Sequence, residues 1–279
     1  MYPPPADCDT SSSFKRCGDL WDEYGTAVFE AEQHVYRLDS GIFVELSRYW
    51  RNIFTQAHPD ERKWYEGWPL FNLAVPARAA RHFFKAIQGY KKKEWKAERE
   101  DVIALADVLQ LSRLWQVDKL YWSCLDGLKR TFPSNLASYE VISMPPKFPT
   151  MASRFHVANV LREENILDLL PGALLLCCTS FTKLTDGCAE LTPEGETVQL
   201  SAENMEAVSS GRARLKQYAD ACREPSDRCQ YFPVRCYAAL KSNAFEDPPC
   251  PYCIASWFWS PKSEGTRNPA WNEMCSIFD

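Results

Sequence analysis

Asp19–Phe54, DLWDEYGTAVFEAEQHVYRLDSGIFVELSRYWRNIF, passes without a break from β-prone sequence into two short apolar helices. Thr26–Ala31 and Val35–Leu38 are rich in β-branched and aromatic residues and are separated by the polar Glu32-Gln33-His34, which predicts a hairpin. Beyond it the period changes. Phe43, Leu46, Trp50 and Phe54 recur at spacings of three and four, the signature of one helical face. Ser40 reads as the N-cap of a helix over Gly41–Leu46 and Ser47 as the cap of a second over Arg48–Gln56, because a serine hydroxyl accepts from an otherwise orphaned first-turn N–H.

Working outward, residues 1–18 are short, polar and rich in Pro and Ser, and are expected to form a disordered tail. Pro59–Gly67 reads as a polar loop, and Pro69–Val75, with Phe71, Leu73 and Val75 alternating, as a third strand. Pro76 suits a helix start. Ala80, Phe83, Phe84 and Ile87 put an apolar stripe on the helix that follows, and Gly89 is expected to close it. Two further helices are expected over Val102–Trp115 and Val117–Phe132, the second stopped by Phe132-Pro133. Residues 134–224 have no convincing alternation and read as a helical extension, with runs at Ala152–Glu163, Ile166–Phe181 and Glu203–Cys222 broken by prolines that include Pro171. Residues 225–279 form a segment rich in Cys and Trp.

The predicted order is strand, strand, helix, helix, strand, then helices, an α+β arrangement that resembles the BTB/POZ domain. The resemblance is carried by Asp19-Leu20-Trp21, Ala27–Glu32, Val35–Leu38, and Ser47-Arg48-Tyr49-Trp50-Arg51-Asn52-Ile53-Phe54, which is similar to the family's S-x-F-F/Y-R-x-M/L-F. Leu70–Val75 and the helices over Val102–Trp115 and Val117–Phe132 continue it, so the domain is expected over 19–133. Leu169–Cys178 is similar to a segment that follows the BTB domain in proteins abundant in mushroom-forming fungi. The resemblance implies a small sheet capped by helical hairpins and a non-enzymatic interaction module. It implies self-association as a homodimer, or pairing with other BTB proteins, through the N-terminal strand and the Gly41–Leu46 helix, with Ile42, Phe43 and Leu46 at the interface. It extends to an adaptor role towards a cullin-type ubiquitin ligase, or to a transcriptional role. Many BTB domains carry a His followed by a basic residue before the first helix. This chain has Asp39-Ser40, which removes the charge on which a corepressor groove depends.

Composition excludes other classes. The 279 residues carry 32 Lys and Arg against 37 Asp and Glu, a formal charge of −5, so direct nucleic-acid binding has no electrostatic support. The one dense basic run, Lys91-Lys92-Lys93 with Lys96 and Arg99, is diluted by Glu94, Glu98 and Glu100 and reads as a solvated surface. The longest apolar stretch, Ile166–Cys178, contains Asp168 and Pro171 and falls short of the ~20 residues of a membrane span. Pro and Ser stand in the first 18 residues where a signal peptide would be apolar, so an intracellular location is expected, nucleus or cytoplasm undecided.

Chemistry-bearing motifs are few. Twelve Cys in an intracellular chain are expected as reduced thiols. Cys124, Cys177 and Cys178 lie within apolar helical patterns and read as core. Cys250-Pro251-Tyr252-Cys253 spells a dithiol redox site, but Glu246-Asp247-Pro248-Pro249 precedes it in place of a strand. Together with Cys229 and Cys236, Cys250 and Cys253 would supply four thiolates for a structural zinc, and unliganded reduced thiols are the other reading. That set supports an alternative function, a zinc- or thiol-dependent protein acting through its C-terminal cysteines. No other cofactor is implied. His34, His58, His82 and His156 are scattered without a ligand or nucleophile partner nearby in sequence, and neither a P-loop nor a GxGxxG is present. No catalytic residue is assigned.

Overall fold

The computed structural model describes residues 14–56, 63–132, 150–178, 190–192 and 195–221. The chain divides into two compact units, 1–127 and 128–279.

The first unit is a mixed α+β body around a five-stranded sheet. Strands β1 (Lys15–Trp21), β2 (Ala27–Ala31), β3 (His34–Leu38), β4 (Lys63–Tyr65) and β5 (Trp68–Asn72) lie in the order β1-β3-β2-β5-β4. The expected hairpin forms, with β2 and β3 antiparallel from Ala27 opposite Leu38 to Ala31 opposite His34. Its turn is two residues long. Glu32 (φ 44°) and Gln33 (φ 67°) both take the left-handed conformation that matches the twist of the flanking strands. The Glu32 carboxylate then accepts the Ala77 backbone N–H at 2.9 Å, at the start of α3 (Ala77–Lys91), where Pro76 has no side-chain cap to offer. A turn residue thus serves as the cap of a helix 45 residues away.

Between β3 and β4 stand α1 (Ser40–Leu46) and α2 (Arg48–Gln56). Helix α1 begins one residue earlier than expected and its cap is Asp39, not Ser40: the Asp39 carboxylate accepts the Gly41 N–H at 2.9 Å. Ser47 caps α2 as expected, accepting the Trp50 N–H at 3.0 Å. Its hydroxyl also donates to the Trp115 carbonyl at the end of α4 (Val102–Leu114), which ties the α1–α2 corner to a residue 68 positions on. Strand β5 runs parallel to β2, with Val28 opposite Leu70.

Three expectations change here. Lys15–Gly18, read as tail, belongs to β1, which pairs parallel with β3. Lys63–Tyr65, read as loop, is β4, closed onto β5 by Glu66 (φ 51°) and Gly67 (φ 79°). Gly89 does not end α3. The helix runs on to Lys91, and a Cβ at Gly89 would lie 2.9 Å from the Trp95 Cβ, so the glycine serves close packing.

The core is aromatic. Phe29 on β2 has its ring centre 4.8 Å from Phe43, 5.3 Å from Trp50, 5.1 Å from Phe84 and 5.7 Å from Phe71. Trp115 closes over Phe83 at 4.7 Å. Such pairs add about 0.5–1.5 kcal/mol each beyond the area they bury. Helix α4 and α5 (Asp118–Thr131) complete the unit. Gly127 lies where a Cβ would meet Leu105 at 2.9 Å, so these two helices approach closely.

The second unit contains α6 (Met151–Glu163), α7 (Leu170–Cys178), a hairpin of β6 (Glu190–Leu191) and β7 (Thr197–Val198), and α8 (Ala202–Ala221). Its core is mostly aliphatic, with Leu161, Leu169, Leu174 and Val208 buried alongside Phe155. Two details depart from expectation. The β6–β7 hairpin falls in a stretch read as strand-free, and α7 starts at Leu170 with Pro171 in its first turn, where a missing N–H costs nothing. Arg154 is 7% exposed within this core and donates to the Leu176 carbonyl at 2.8 Å. Burial lowers its pKa, and burial also pushes the neighbouring Cys177 thiol up to about 12. No helix among the described residues is long and apolar enough to cross a membrane.

Candidate interaction surface

Of the three residues expected at an interface, Phe43 is withdrawn. Its ring is fully buried, in contact with Phe29, Trp50 and Phe84. The period-three spacing that marked it as apolar was reporting the core face of α1. Ile42 keeps 6% of its surface and Leu46 is half-buried. These two open onto a groove.

The groove has a volume of about 430 Å³ and lies among α1, the end of α3 and the start of α5. Ile42 and Leu46 form its apolar floor with Tyr90 and Trp95. Gly89 makes this floor continuous, because it lets Trp95 approach the α3 backbone, and the Glu94 and Trp95 N–H groups both reach back to the Gly89 carbonyl, at 2.9 and 3.1 Å. Lys91, Lys93 and Lys119 stand at the rim, all exposed, opposed by Glu45. Lys91 is drawn to the capping Asp39 at 3.2 Å, while Lys93, in the left-handed conformation at φ 60°, and Lys119 have no ion-pair partner among the described residues. The lysine run read as solvated surface therefore has two members, Lys91 and Lys93, beside an apolar cleft. A local sequence window could not find this, since the floor joins α1 to Tyr90 and Trp95 and Lys119 comes from α5.

A second surface is the edge of β1, with which no other described strand pairs, although the Phe14 and Trp21 rings meet Tyr65 of β4 at 5.6 and 6.3 Å. Edge strands leave a row of backbone donors and acceptors for another chain to pair with. Lys15, Arg16, Gly18 and Asp19 are exposed along it, and Arg16 pairs with Glu66 and stacks 4.7 Å over Trp21.

Behind α3 lies a charge cluster that sequence reading missed. His82, read as a lone helix-face histidine, has Nδ1 2.7 Å from an oxygen of Asp107 on α4, and the Arg78 guanidinium lies 3.3 Å from the same oxygen. The Asp107 side chain is 1% exposed. Arg78 and His82 stand one turn apart on α3, so the spacing was visible, but nothing local marks an aspartate on α4 as their partner. A smaller pocket of about 240 Å³ opens at His82, bounded by Lys85, Glu94, Glu100 and Trp95. Its walls carry both signs of charge.

Cys124, Cys177 and Cys178 are buried as expected, and burial raises each thiol above its ordinary range. They are inert packing residues. Cys229, Cys236, Cys250 and Cys253 lie outside the described residues, and among the described residues no three metal-ligating side chains converge. Comparisons with protein-family models, with curated proteins and with solved structures return no match. The fold therefore stands as a mixed α+β body built on a small five-stranded sheet.

Proposed function

We propose that the chain is a protein-interaction module of the BTB/POZ type that self-associates through the edge of β1 and through α1. The observation that carries this reading is the path of the first unit: an antiparallel β2–β3 hairpin, an α1–α2 crossover, β5 returning parallel to β2, then α3 and the α4 and α5 helices. That path is the order of elements the resemblance implies, and among the described residues no strand pairs with the outer side of β1. Without Phe43, the contribution of α1 falls to Leu46 and the rim of Ile42. An adaptor role towards a cullin-type ubiquitin ligase, or a transcriptional role, is the further expectation of the same reading.

The test is mass in solution. Sedimentation of the full chain is expected to return about twice the 32.1 kDa of one copy. Gly18→Pro interrupts β1 at an exposed edge position and is expected to shift the species to one copy with an unchanged near-ultraviolet spectrum. A single copy at every attainable concentration of the unaltered chain would overturn the proposal.

A further inference from the structure

We infer that the pocket at His82, between α3 and α4, is a binding site for a guanidinium group. None of its lining residues lies on α1 or β1, so the site is separate from the surfaces of self-association.

The ion pairs of the fold decide which sign of charge is left for a ligand. The Lys85 ammonium already lies 2.8 Å from the Asp19 carboxylate. Glu94 and Glu100 are exposed, line the pocket and have no ion-pair partner among the described residues. Their backbone is fixed: the Glu94 N–H reaches the Gly89 carbonyl of α3 at 2.9 Å, and the Glu100 N–H closes the short 3-10 turn Ala97–Arg99 onto the Ala97 carbonyl at 3.3 Å. His82 is a third acceptor. Its Nδ1 lies 2.7 Å from Asp107, whose side chain is 1% exposed, and a buried carboxylate there holds the ring proton on Nδ1 and leaves the other nitrogen to accept. Once these pairs are made, the pocket presents acceptors and net negative charge.

Shape and spacing decide among cations. The volume of about 240 Å³ is below the ~300 Å³ at which pockets for drug-sized ligands begin, and suits one functional group with part of its stem. A metal ion needs ligands gathered on a point, and among the described residues no three His, Cys, Asp or Glu side chains converge. An ammonium is also a point charge with its donors on one nitrogen, and a quaternary ammonium has no donor at all. A guanidinium spreads five N–H donors over a plane and lays its face on aromatic rings, so it answers separated acceptors and the Trp95 indole together. Ala104 and Val108 of α4 give its methylene stem an apolar wall. An anion would meet two unanswered carboxylates and a lysine already engaged by Asp19.

The test is calorimetric titration of the full chain with free arginine and with a capped peptide that carries one arginine between alanines. Matched ligands carry lysine or the uncharged isostere citrulline in its place. Saturable binding of an arginine ligand is expected. Free arginine binding as tightly as the peptide makes the source a small molecule, and binding of the peptide alone makes it the side chain of a partner protein. The lysine ligands are expected to bind about tenfold more weakly and the citrulline ligands not at all. E94Q/E100Q is expected to weaken arginine binding about tenfold at an unchanged urea midpoint, because both carboxylates are exposed. Glu23→Gln removes an exposed carboxylate outside the pocket and is expected to leave binding as it is, which separates the site from a general attraction of cations to an acidic chain. No saturable binding of either arginine ligand, equal binding of the lysine or citrulline ligands, indifference to E94Q/E100Q, or an equal loss in Glu23→Gln overturns the inference.

Discussion

Two carboxylates are each met by a pair of basic side chains spaced one turn apart on the same helix, and they differ in almost everything that decides their worth. Asp107 meets Arg78 at 3.3 Å and His82 at 2.7 Å with its side chain 1% exposed. Asp19, on β1, meets Arg81 and Lys85, each at 2.8 Å, with its side chain 41% exposed. Helix α3 thus uses one device twice, inward to α4 and outward to β1. The geometry of the contacts is similar. The surroundings set the energies, because a charge removed from water depends wholly on its partners while an exposed one keeps its hydration.

The largest effect expected from this contrast is at Asp107. Asp107→Ala removes a buried carboxylate from beside the Arg78 guanidinium, whose side chain is 8% exposed, and is expected to cost about 3–5 kcal/mol, read as a lower urea midpoint at constant slope. Replacing the whole cluster, as Arg78→Met with His82→Leu and Asp107→Leu, is expected to recover most of that loss, since the buried charges are then absent rather than orphaned. A triple variant as unstable as the single one would mean that the cluster fixes the α3–α4 register as well.

Asp19→Asn is expected to cost less than about 1 kcal/mol, with the difference from the unaltered chain disappearing in about 1 M salt. Its value has a pH window. Hydrogen bonds from Arg81, Cys17 and Lys85 hold the Asp19 carboxyl well below the usual carboxylate range. A carboxylate depressed in the folded state stabilises that state fully above its unfolded pKa of about 3.9 and loses this as pH falls towards the folded value. The two chains are therefore expected to differ in stability at pH 7 and to converge progressively as pH falls from about 4 towards the folded value. A difference that persists into acid would assign the contact to packing and not to charge.

The contrast also explains what could be read from the chain. The β2–β3 hairpin, the Ser47 cap and the apolar stripe of α3 were legible because each is written in a few neighbouring residues. The edges of the sheet were not. The strand β1 carries Lys15, Arg16 and Gly18 and looks like tail until β3 supplies a partner, and β4 is three residues whose only local signal is the turn at Glu66-Gly67. Phe43 shows another limit: spacing puts it on the apolar face of α1 without saying whether core or partner covers that face, the interface role came from the resemblance, and its ring is buried in the chain's own core. The groove and the Asp107 cluster stayed hidden for one reason, that each joins residues from separate helices. Asp39 lay between these cases, an expected loss of family charge that became the cap of α1 and the partner of Lys91.

The smallest expected effect tests whether Asp19 acts on its neighbour as well as on α3. The Cys17 thiol donates to the other oxygen of Asp19 at 3.0 Å, and burial first, then that bond and the carboxylate charge, push it up to about 11. At pH 8 the thiol is almost wholly neutral and slow to alkylate. Asp19→Asn removes the charge and leaves the burial, so the Cys17 pKa falls part of the way and alkylation by iodoacetamide, followed peptide by peptide, is expected to quicken a few-fold. Cys177 is the internal reference, since burial alone raises it to about 12 and Asp19 is not among its neighbours. Its rate should stay where it is. Equal acceleration at both cysteines would show that Asp19→Asn loosens the whole fold, placing the exposed carboxylate nearer to Asp107 in worth than its hydration allows.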